Sequence, residues 1–60
     1  MPSAVAVRSG RLTELTNMAL AGRKLDEIYI RAYQMASKSV ANGYVEEVLR
    51  RVQSIKQRNT

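Results

Sequence analysis

Apolar residues recur at helical spacing in three stretches of the chain. In the first, Leu12, Leu15 and Ala19 fall at i, i+3 and i+7, with Met18 beside them. This pattern predicts a helix over residues 10–21, with Ser9 as its cap. In the second, Leu25, Ile28, Tyr29, Ala32, Met35, Ala36 and Val40 trace one continuous apolar face, which predicts a helix over residues 23–41. Ile30 and Tyr33 lie off that stripe, three residues apart. In the third, Val45, Val48, Leu49, Val52 and Ile55 keep the same spacing and predict a helix over residues 44–58.

The polar residues fit these boundaries. Asp26 and Glu27 fall in the first turn of the second helix, and Glu46 and Glu47 in that of the third, where carboxylates complement the positive end of the helix dipole. Lys38 is expected near the negative end of the second helix, and Lys56 and Arg58 near that of the third. Glu46–Arg50 and Glu47–Arg51 are i, i+4 pairs in the favourable orientation. Two punctuation points separate the helices. Gly22 suits the left-handed residue that follows a helix end, and Asn42-Gly43 reads as the joint of a helical hairpin. Gly costs a helix interior only about 1 kcal/mol against Ala, so a rod running through Gly22 is the rival reading.

Residues 1–9 contain the one Pro and the run Val5-Ala6-Val7, and read as a flexible or partner-ordered arm. A strand there would need pairing from another chain. The expected fold is therefore all-α. A helical hairpin or three-helix arrangement forms a single small domain over residues 10–58, preceded by a short N-terminal arm and self-associating.

Size supports the last point. A chain of 60 residues buries only about 60% of the surface that its unfolded form exposes. Small domains of this kind rely on staples or partners, and without Cys there is no disulfide or thiolate metal site. Val, Ile and Leu make up 14 of the 60 residues, just above the level of about 20% below which disorder is the default. The missing cysteines suit a cytoplasmic protein. No run approaches the roughly 18 apolar residues of a membrane span. The first 24 residues share the basic, acid-poor composition of a transit peptide, but their removal would leave too little chain to fold, and an ordinary basic helix is preferred.

The chemistry available favours binding over catalysis. There is no His, and the adjacent acids Asp26-Glu27 and Glu46-Glu47 point about 100° apart on a helix, so they do not converge as a catalytic pair. No enzymatic activity and no cofactor or metal are expected. Ten Lys and Arg against five Asp and Glu leave a formal charge of +5. Such a surface attracts phosphates or an acidic protein. The cations expected to make that contact are Arg8, Arg11, Arg23 and Lys24 in one cluster, and Arg50, Arg51, Lys56 and Arg58 in another. Ile30, Tyr33 and Tyr44 are the candidate apolar contacts, because Tyr and Arg are enriched at interfaces. The leading expectation is a basic helical protein-interaction module (an adaptor, linker or regulator) that docks on a larger acidic partner and forms homo-oligomers. The alternative is a small DNA- or RNA-binding regulator acting through its basic helix surface. A membrane-surface role is disfavoured, because no Trp or Phe is present as an anchor.

Overall fold

A computed structural model describes residues 3–58. Three helices pack against one another: α1 (Ala4–Leu20), α2 (Leu25–Met35) and α3 (Lys38–Arg58). The all-α expectation holds. Two of the expected boundaries do not.

α1 starts six residues earlier than its apolar spacing predicts. Ser3, rather than Ser9, is the cap, and its hydroxyl oxygen accepts the Ala6 N–H at 3.1 Å. Residues 4–9, expected in the arm, form the first turns of this helix, and half-buried Val7 lies beside Met35 of α2. Residues 1 and 2 of that arm lie outside the described residues. Ser9 is instead helical and accepts the Thr13 hydroxyl on its carbonyl at 2.9 Å.

Gly22 ends α1 as its residue type suggests. Its φ is +85°, a region costly to any residue with a Cβ. The Arg23 N–H donates to Met18 O and the Gly22 N–H to Ala19 O, both at 3.1 Å. This 6→1 and 5→2 pair is a Schellman motif, which satisfies the last carbonyls of the helix. The rod reading is excluded. α2 then begins with the Glu27 carboxylate accepting the Lys24 N–H at 3.0 Å.

The second joint is displaced. Asn42-Gly43 lies inside α3, and the chain turns at Ala36-Ser37. Ala36 is extended at φ −157°, ψ 170°, and the Ser37 carbonyl accepts the Ala41 N–H at 2.8 Å to start α3. Packing decides this. Ala41, Tyr44, Val45, Val48 and Val52 are all buried, at i, i+3, i+4, i+7 and i+11. A break at residue 42 would cut that stripe, so tertiary burial overrides the weak local preference of Asn and Gly. Lys38, expected at the end of the second helix, consequently opens α3 at the pole less favourable to a cation.

The helices run up, down and up. Glu14 of α1 pairs with Arg31 of α2, while the earlier residues Val7, Gly10 and Arg11 lie beside the later Gln34 and Met35. α1 and α2 are thus antiparallel. Arg8 is near enough to act on Glu47 by its charge, while the later Thr13 and Asn17 share a groove with the later Arg51, Ser54 and Arg58, so α1 and α3 are parallel. The core is Leu12, Leu15, Ile28, Ala32 and the five buried α3 residues, flanked by half-buried Met18, Ala19, Tyr29, Met35 and Ala36. Buried Thr16 satisfies its hydroxyl by donating to Leu12 O at 2.7 Å.

Several residues on the expected apolar stripes are not buried: Leu25, Val40, Leu49 and Ile55 are each at least 36% exposed. α2 has 11 residues, or about 16 Å, against about 31 Å for the 21 residues of α3, so α2 covers only part of the length of the long helix.

The two glycine positions are expected to respond in opposite ways in urea titrations followed by circular dichroism. Gly22→Ala should lower stability by about 1–2 kcal/mol, because alanine must enter the left-handed region. Gly43→Ala, with open space at its Cβ and a helical backbone, should raise stability by about 0.5–1 kcal/mol. A destabilising Gly43→Ala would contradict a continuous α3.

Candidate functional site: two faces of the bundle

The described cations divide into those held by acids and those left without an ion pair. Arg31 grips Glu14 with two guanidinium nitrogens, one of them Nη2 at 3.2 Å from Oε1, and its Nη1 donates to Gln34 Oε1 at 3.2 Å. This fork joins α1 to α2. Arg23 pairs with Glu27 through Nε at 3.0 Å. Glu47 collects both Arg50, at 2.7 Å, and Arg51, at 3.6 Å. The expected Glu46–Arg50 pair does not form. Arg50 turns to Glu47 one helical step closer, and Glu46 has no ion pair among the described residues.

These contacts lower three carboxyl pKa values. The Arg31 hydrogen bond holds Glu14 below its ordinary value, and Glu14 in turn raises Arg31. Glu27 is lowered first by the Lys24 N–H and then by Arg23. Glu47 is lowered chiefly by its Arg50 hydrogen bond, with Arg51 and Arg8 adding through their charge.

The structure separates the residues expected to form one site. Arg8 faces α3, where its charge reaches Glu47, while Arg11 lies in the groove between α1 and α2. Arg23 and Lys24 sit at the opposite end of α1, so the first expected cluster is dispersed over the length of that helix. The second cluster splits around α3. Arg51 and Arg58, seven residues apart, line a groove of about 330 Å³ with Thr13, Thr16 and Asn17 of α1 and with Ser54 and Ile55. Arg50 is directed to Glu47, and Lys56 lies off that groove.

Tyr44 is 7% exposed and belongs to the core, which removes it from any surface contact. It falls one turn before Val48 on the buried stripe of α3. Ile30 and Tyr33 are exposed, at 57% and 43%, and adjacent on α2. The Tyr33 hydroxyl donates to Asn42 Oδ1 at 2.9 Å, tying α2 to α3, and its ring lies 6.0 Å from that of Tyr29.

Sequence reasoning missed Arg31, Asn42 and the polar lining residues Thr13, Asn17 and Ser54. Each gains its role from a neighbour on another helix, for which the local spacing carries no signal. Among the described residues, no three acids gather in a group that could hold a metal ion, and no helix is long and apolar enough to cross a membrane. Comparison with protein-family models, curated proteins and solved structures finds no match to this chain.

The lowered carboxyl pKa values give the acid response its sign. Each carboxylate is more acidic folded than unfolded, so its contribution is complete above the ordinary value of 4.5 and is lost as pH falls through the lower folded value. The melting temperature is therefore expected to hold steady down to about pH 5 and to fall below pH 4.5. Glu14→Gln should flatten part of that fall, as read by thermal melts across pH.

Proposed function

We propose that the chain is a small basic protein-interaction module, and that its α1–α3 groove receives an acidic segment of a larger partner. The supporting observation is the groove itself. Ile55 lies between Arg51 and Arg58, and the hydroxyl or amide side chains of Thr13, Asn17 and Ser54 complete the lining. An apolar residue flanked by two guanidiniums matches an amphipathic segment that presents carboxylates beside an aliphatic side chain. Arg58 has no ion pair among the described residues, so its guanidinium is open to a partner carboxylate.

A nucleic-acid regulator is the second reading, supported by the net charge of +5 and by the arginine pair on one stripe of α3. One feature weighs against it: the groove presents no aromatic ring for base stacking.

The test compares two probes by fluorescence titration: a labelled acidic amphipathic peptide and a DNA duplex of about 20 base pairs, at about 50 and 200 mM salt. The peptide should bind, and Arg51→Glu with Arg58→Glu should weaken it by about 10-fold or more while the helical signal stays unchanged. Tighter binding of the duplex, with a steep salt slope lost in the same variant, would replace this reading with the nucleic-acid one.

A further inference from the structure

We propose that the α2–α3 face, opposite in character to the basic groove, binds a second copy of this chain. Four of the exposed large apolar residues lie on it. Leu25, Ile30 and Tyr33 come from α2, and Leu49 comes from α3, each between 42% and 57% exposed. Helical spacing places Asp26, Ile30 and Tyr33 on one stripe of α2, at i, i+4 and i+7. Lys38, Asn42, Leu49 and Lys56 form a stripe on α3, at i, i+4, i+11 and i+18, with Glu46 and Gln53 along its edge. The Tyr33–Asn42 hydrogen bond joins the two stripes edge to edge.

Charge identifies the occupant. The acids without an ion pair among the described residues are Asp26 and Glu46, and both lie on this face. Lys38 and Lys56, also without ion pairs among the described residues, lie at its two ends. Arg50, the cation best placed to cancel Glu46, is turned away to Glu47. The face is thus neutral in a molecule of charge +5, and it carries two acids and two cations around an apolar centre. A wholly basic surface would repel its own copy, whereas one bearing both signs can match itself across a two-fold axis, where residue i meets j and j meets i. An acidic partner is drawn instead to the other side of the bundle. A standard interface takes roughly 800 Å² from each partner, about a fifth of the 4375 Å² surface of this chain.

The experiment is sedimentation equilibrium of the full chain from about 1 µM to 1 mM, at low and high salt. A mass of twice 6.7 kDa at the upper concentrations, changing little with salt, is expected. Ile30→Asp and, separately, Leu49→Lys should each raise the dimer dissociation constant by about 30-fold or more with circular dichroism unchanged. Val5→Asp, exposed in the first turn of α1 and outside the two stripes, should leave the constant unaltered. A chain monomeric throughout would overturn the proposal. So would a dimer that tolerates both Ile30→Asp and Leu49→Lys, or one broken by Val5→Asp alone.

Discussion

The fold depends on one uninterrupted stripe of buried side chains on α3. Ala41, Tyr44, Val45, Val48 and Val52 supply more than half of the core, and α1 and α2 each lay a short apolar edge against them. Burial of this kind is worth about 25 cal/mol per Å² of apolar surface, while the backbone preferences that oppose it at Asn42 and Gly43 amount to about 1 kcal/mol each. Burial prevails, and the rest of the geometry follows. The turn moves back to Ala36-Ser37, α2 is held to 11 residues, and the last two turns of α3 have only α1 beside them.

The molecule has two contrasting surface features. On one side, Leu49 of α3 and Leu25, Ile30 and Tyr33 of α2 are left partly bare. Where α3 continues alongside α1, its outward arginines meet the hydroxyls of α1 and form the basic groove. The ion pairs sort the charge between these two sides. Glu14 neutralises Arg31 across the α1–α2 seam, Glu27 and Glu47 neutralise arginines close by in sequence, and Asp26 and Glu46 remain on the apolar face. A charge that is basic overall is therefore distributed unevenly, which residue counts alone do not convey.

Some of this organisation is legible in the sequence. The end of α1 is, because a residue at φ +85° is best served by glycine, and that need is local. The inward positions Leu12, Leu15, Ile28, Ala32, Val45, Val48 and Val52 are also readable, since their spacing is the helical period itself. The start of α1 is not, because its cap at Ser3 precedes an alternating Val-Ala-Val run that imitates a strand. The joint of α2 and α3 is not either, since Asn-Gly is a turn signal by propensity and a helical pair by context. The sites are less legible than the fold. Periodicity marks which residues leave the core, but only the relative rotation of three helices decides that Arg51 and Arg58 share a groove while Lys56 does not.

The placement of the tyrosines has an optical consequence. With no tryptophan in the chain, near-ultraviolet absorption and fluorescence arise from Tyr29, Tyr33 and Tyr44, on α2 and α3 alone. Two of these rings lie 6.0 Å apart and the third is packed in the core, whereas α1 carries no chromophore. Tyrosine emission therefore reports on α2 and α3 and, through Tyr44, on the core they share with α1, and far-ultraviolet dichroism reports on all three helices. If the two signals melt together, the bundle is a single cooperative unit, and if they part, helix survives the opening of the core.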